Sequence, residues 1–159
     1  MKLHASLHGL VWTTISLALN ACSTWDKNQA PILTVSELYA APICNRSKQS
    51  ITQIDNTKDL NNVLIDANFH KLNQKASHVP EIDFSTTHAY LISLGTKTNA
   101  AYNLRKTGNK AHIVKDVLYL PYRVESPPKG SMSAQVMISP CAIITLPIRP
   151  YNKIDIQNW

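Results

Sequence analysis

The chain has 159 residues, of which 44% are hydrophobic and 16% charged, and it carries a formal charge of +6. That length suffices for one domain with a real core. The basic residues are scattered, with Arg105-Lys106 and Lys110 the densest local group. This reads as a solvated basic surface, not a nucleic-acid footprint, and leaves room for attraction to anionic head groups or acidic partners.

In chain order, the first segment is Lys2 without any acid, then the uncharged run "LVWTTISLAL" at 10–19. This run suits the apolar part of a signal peptide and is too short to span a bilayer as a helix. "Leu19-Asn20-Ala21-Cys22" resembles a bacterial lipobox, with Asn20 departing from the usual small or aliphatic residue. The resemblance implies a lipoprotein signal peptide over 1–21, cleavage before Cys22, and lipidation of Cys22. Two or more acyl chains make a stable anchor where one is marginal. Thr24, where an aspartate often retains such proteins in the inner membrane, implies a periplasm-facing lipoprotein of the bacterial outer membrane. Residues 22–31 then form a lipidated polar tether. An ordinary signal peptide with a secreted periplasmic product is the alternative.

Assigning Cys22 to lipid leaves Cys44 and Cys141, 97 positions apart. An oxidising compartment favours their pairing, with two buried thiols as the alternative.

A single β-rich domain is expected over 32–159. "ILTVSELY" at 32–39 and "KQSITQID" at 48–55 read as strands, joined by a loop holding Cys44. At 56–72 the period changes: Leu60, Val63, Leu64 and Ala67 fall on one helical stripe, with Asn56 as N-cap and Asp59 in the first turn. After a connector containing Pro80, "AYLISLG" at 89–95 is a strand. Residues 101–116 read as a hairpin turning at Thr107-Gly108-Asn109. "VLYLPYRVES" follows, with Pro121 implying a bulge or an edge. "SAQVMIS" and "CAIITLPI" are two further strands, and the tail at 151–159 a last short one. The expected fold class is mainly β (α+β): an antiparallel sandwich or sheet with one helix packed on it, preceded by the signal peptide.

Signatures of catalysis are missing. Gly95, Gly108 and Gly130 are the glycines left after cleavage, which excludes a Gly-rich phosphate cradle, and there is no G-x-S-x-G elbow. His70, His78, His88 and His112 show no metal-ligand spacing. Glu81 and Asp83, two apart, are carboxylates of a kind too common to indicate acid–base work. No enzymatic activity, metal, cofactor or nucleic-acid partner is expected.

Three loops suit partner binding on a rigid β scaffold: 94–102 with Thr96, Lys97, Thr98, Asn99 and the amphipathic Tyr102; 125–132 with Pro127, Pro128 and Lys129; and 139–143. Plain turn chemistry explains them equally well.

Taken together, "PEIDFS" at 80–85, "LGTK" at 94–97, "AAY" at 100–102, "SPPKGSM" at 126–132 and "SPCAIITLP" at 139–147 resemble the C-terminal domain of the protease complex subunit PrcB family, over about 80–155. The family turn commonly reads Thr-Gly-Gly-Tyr, whereas this chain has Asn99-Ala100-Ala101-Tyr102. Alanine does not enter positive φ as glycine does, so a different turn geometry is expected. The resemblance implies a lipid-anchored envelope protein that assists a protease or another envelope complex, without catalysis of its own. A small-molecule or lipid carrier using the interior of the β domain is the alternative function.

Overall fold

A computed structural model of the protein describes residues 31–66, 81–130 and 132–159. The signal peptide, the tether up to residue 30, Cys22, and the helical stripe beyond residue 66 lie outside the described residues. So do His70 and His78.

The described chain builds two sheets and one helix, in the order β1 (Ile32–Thr34), β2 (Ser36–Ala41), β3 (Gln49–Ile54), α1 (Thr57–Asp66), β4 (Thr87–Leu94), β5 (Asn103–Lys106), β6 (Lys110–Val114), β7 (Val117–Glu125), β8 (Cys141–Pro147) and β9 (Lys153–Gln157). One sheet runs β2-β8-β4-β3, antiparallel throughout. The other joins β1, β6, β7 and β5 antiparallel, with β9 parallel to β7. This is a mainly β sandwich with one helix, as the sequence implies.

The four-stranded sheet is the middle layer, which explains its two mostly apolar strands. Tyr90, Ile92 and Leu94 of β4 and Ala142, Ile144 and Leu146 of β8 face the second sheet, where they meet Leu33, Leu118, Leu120 and Tyr122. The alternate residues Ala89, Leu91, Cys141 and Ile143 face the helix, meeting Leu60 and Leu64. Alternating side chains point to opposite faces, so a strand covered on both sides is apolar at most positions, with Ser93 and Thr145 as buried hydroxyls.

Helix α1 starts where its sequence says it should. Asn56 Oδ1 accepts the Asp59 backbone N–H at 2.9 Å, and Asn56 Nδ2 donates back to Asp59 Oδ2 at 2.7 Å. Satisfying an otherwise orphaned helical N–H is worth about 1 kcal/mol. Asn56→Ala is therefore expected to lower stability by about that amount, measured by urea unfolding with an unchanged slope.

Three features differ from the sequence reading. First, 32–39 is not one strand: Val35, 1% exposed, carries the chain from one sheet to the other, and its N–H is bonded to Asn109 O at 2.8 Å. Second, 107–109 is not a hairpin turn. Both β5 and β6 pair with β7, Lys106 opposite Tyr122 and His112 opposite Tyr119. Because β9 pairs with both halves of β7, β5 and β6 lie end to end along its other edge. Between them the run bulges, the five residues 107–111 facing only Leu120 and Pro121 of β7. The cause is Pro121, which has no N–H for the ladder; its carbonyl takes Thr107 N–H at 2.8 Å. The register with β9 also shifts there, between Tyr119 and Arg123. The true turn is Lys115–Asp116, both left-handed (φ 49° and 62°), the pattern of a two-residue type I′ hairpin. Third, residues 132–137 belong to no strand, and Val136 N–H closes a tight turn on Ala134 O at 3.1 Å; of the expected strand only Ile138 and Ser139 form isolated bridges.

The sheets are also joined by buried hydroxyls. Tyr122 donates to Glu37 Oε2 at 2.5 Å, and the hydroxyls of Tyr90 and Tyr151 bond each other. Burial is the main cause that pushes the phenols of Tyr90, Tyr122 and Tyr151 above the ordinary value of 10.0, with Glu37 adding to it at Tyr122. In the unfolded chain these phenols ionise near pH 10, while the folded chain holds their protons to higher pH. Stability is thus unaffected by them below about pH 10 and falls as pH rises beyond it. A titration of phenolate absorbance run beside circular dichroism should show these three ionising only as the fold is lost.

Candidate partner-binding surface

The strand directions divide the domain into two poles. Ala41, Ser93 and Cys141 stand side by side at one end of the middle sheet, as do Asn103 and Glu125 in the other. A shallow cavity of about 200 Å³ between Ala41, Pro42, Leu104 and Pro140 joins these ends. Loops 42–48, 95–102 and 126–140 therefore share one pole. The opposite pole holds Pro31, the Lys115–Asp116 turn and residues 148–152: Pro31 O accepts Ile113 N–H at 3.2 Å, and Asp116 O accepts Asn152 N–H at 2.8 Å.

Cys44 and Cys141 form the disulfide, Cα atoms 6.1 Å apart, at the base of the loop pole. Cys44 N–H is bonded to Ser139 O at 3.0 Å and to Ser139 Oγ at 2.9 Å, so this bridge holds the 126–140 loop against the 42–48 loop.

The 95–102 loop is fastened to the same 126–140 segment. Lys97 and Ile138 exchange backbone hydrogen bonds at 2.8 and 2.9 Å, and Ala100 N–H reaches Ala134 O at 3.1 Å. Asn99 Oδ1 accepts Ala101 N–H at 2.8 Å and the Ser133 hydroxyl at 2.6 Å. This side-chain turn needs no glycine: Ala100 and Ala101 avoid positive φ, and Tyr102 N–H closes on Asn99 O at 3.3 Å. Asn99 is thus a clamp within the loop. Lys97 is half-buried with its ammonium 5.3 Å above the Tyr102 ring, a cation–π contact that orients both. Thr96, Thr98, Pro128 and Lys129 are exposed, and Pro127 is half-buried.

What the sequence reading missed lies between these loops. Met132 is fully exposed, Met137 is 72% exposed, and Val136 and Ile43 are about half exposed, 48% and 47%. "SAQVMIS" reads as a strand in sequence, but no second strand pairs with it to cover these side chains. Beside this apolar strip a shallow groove of about 480 Å³ runs between Ala101, Arg123, Ser126 and Asn158. Arg123 Nη2 and Arg105 Nη1 both donate to Glu125 Oε1, at 2.8 and 3.1 Å. These hydrogen bonds, Arg123 first, hold the Glu125 carboxyl below the ordinary range. Two guanidiniums against one carboxylate, with Lys97 and Lys129 nearby, make the rim basic.

Other chemically capable residues are occupied structurally. Asp83 accepts from Ser85 N–H (3.0 Å), the Ser85 hydroxyl and the Thr86 hydroxyl (2.9 Å), which lower its pKa. His88 packs near the rings of Tyr90 and Tyr151, with centroids 5.9 and 6.1 Å away. Among the described residues no group of three His, Cys, Asp or Glu side chains converges on a metal-sized site, and no helix is long and apolar enough to cross a membrane.

Comparison with protein-family models, curated proteins and solved structures finds no match for this chain.

Proposed function

We propose that this is a lipid-anchored envelope protein whose domain is a non-catalytic binding or accessory module, docking a protein partner at its loop pole. The observation that carries this reading is the pairing of rigidity with exposure. Loops 95–102 and 126–140 are bonded into one surface, and that surface leaves Met132, Val136 and Met137 uncovered beside a basic rim. Flexible, polarizable methionines suit an apolar contact that must adapt to its partner. The rim favours a partner segment that mixes apolar and acidic residues. The resemblance of residues 80–155 to the PrcB C-terminal domain supports the same role beside a protease or other envelope complex. The space between the sheets is filled by Leu94, Leu118, Ile144 and Tyr122, which favours an outer surface over an interior carrier cavity.

Crosslinked capture from envelopes tests the docking surface. Met132→Glu with Met137→Glu is expected to lose a partner that the unaltered protein retains, at a stability change within about 0.5 kcal/mol, because both side chains are exposed. Identical capture by both proteins would refute the site. Mass spectrometry of the mature N-terminus tests the anchor: a lipid-modified Cys22 is expected, and an unmodified first residue would overturn it.

A further inference from the structure

At the opposite pole the outer face of the five-stranded sheet has a composition of its own. Ile32, His112, Tyr119 and Asp155 are in register across β1, β6, β7 and β9, and Val114, Val117 and Lys153 form the next row. Their neighbours Leu33, Ile113, Leu118 and Ile156 point into the core, so the rows face outward. Ile32 is 51% exposed, and Tyr119 and Val114 are each 45% exposed. Lys110 shares this face, and Lys115 projects from the turn at its end. The result is a small apolar and aromatic patch edged with lysines, the composition that settles at a membrane–water interface.

Charge separates this face from the rest of the same pole. Lys110, Lys115, Lys153 and Arg149 stand against Asp116 and Asp155, Lys153 and Asp155 being paired at 3.3 Å. Among the described residues at the helix layer, Asp55, Asp59, Asp66, Glu81 and Asp83 stand against Arg46 and Lys58. An anionic surface would attract the lysine-edged face.

The chain also enters here. Pro31 is bonded to Ile113, one residue from Val114 on the patch. From Cys22 to Pro31 the chain spans at most about 30 Å however it is arranged. We infer that this outer face of β1, β6, β7 and β9 rests on an anionic lipid surface, which turns the helix layer away from the membrane and leaves the loop pole at the side, clear of the lipid. The inference rests on the anchor reading for its biological setting, but its physical content is separable from it.

The test couples a chain beginning at Cys22 through that thiol to a maleimide-bearing lipid; Cys44 and Cys141 are bridged, and every described element lies beyond residue 30. Lysine acetylation is then mapped in phosphatidylglycerol-rich and in phosphatidylcholine vesicles. Acetylation of Lys110 and Lys115 is expected to slow in the anionic vesicles while Lys97 and Lys129 stay reactive. A lysine near such a surface contributes about fivefold to association, so Lys153→Gln should weaken the slowing by about that factor, and Tyr119→Ser further. Slowing at Lys97 and Lys129 instead, or the same rates in both lipids, would overturn the inference. Because the thiol coupling replaces native lipidation, failure here is distinct from finding Cys22 unmodified in the native protein.

Discussion

Replacing Cys44 and Cys141 together by alanine is expected to destabilise the protein by about 3–5 kcal/mol. The bridge closes a separation of 97 residues, and a loop that long restricts the unfolded chain strongly in the chain-entropy account. The lost sulfurs add a packing term, because Cys44 and Cys141 are 0% and 2% exposed and sit in the core with Leu60, Leu91 and Ile143. With a urea slope of about 1.5 kcal/mol/M, the midpoint should fall by roughly 2–3 M. The same burial predicts that a thiol reductant acts on the native protein only through unfolding, so reduction should accelerate steeply on adding urea. A midpoint unchanged within error would mean that the bridge contributes little, leaving the two loops it joins held by Ser139 alone.

Gly95→Ala is the second large effect. Gly95 ends β4 at φ +67°, and a Cβ there would stand 2.7 Å from both Gln49 N and Lys48 C and 2.9 Å from Ser47 O. All three are backbone atoms, so no side chain can swing aside. Left-handed strain of about 1–3 kcal/mol and overpacking of about 1–3 kcal/mol together give an expected loss of roughly 2–6 kcal/mol. The substitution should also disturb the binding surface, because Thr96 N–H bonds Ser47 O at 3.2 Å where the 95–102 loop departs. Gly108→Ala is the control: nothing lies within 4 Å of its Cβ position, and its stability change should stay within about 0.5 kcal/mol. Equal midpoints for the two variants would contradict this account of the β4 exit.

These cases show which parts of the molecule were legible before the fold was seen. The helix start was local: Asn56 and Asp59 carry their partners within one turn. The two central strands, β4 and β8, were legible too, since strands covered on both faces show mostly apolar runs. The disulfide followed from parity and compartment. The β5–β6 run was misjudged because Thr107-Gly108-Asn109 suits a turn and a bulge equally. What decides between them is Pro121, which is distant in sequence and adjacent in space. The real turn carries no glycine to announce it, only Lys115 and Asp116 in left-handed conformations. In the candidate site, Lys97 and Asn99 of the residues singled out do meet the 126–140 segment. Their roles divide, however: Asn99 clamps the loop, Lys97 braces Tyr102, and the exposed apolar strip comes from Met132, Val136 and Met137. Exposure depends on what fails to cover a residue, and a local pattern does not record that.

The proposed lipid contact on the outer sheet face and the proposed partner at the loop pole make different demands on Tyr119 and Met137. The most direct measurement is photo-crosslinking in intact envelopes, with one photoreactive residue replacing Met137 and, separately, one replacing Tyr119. The account predicts a discrete protein adduct from position 137 and predominantly lipid adducts from position 119. Lipid adducts from position 137 with protein adducts from position 119 would contradict it.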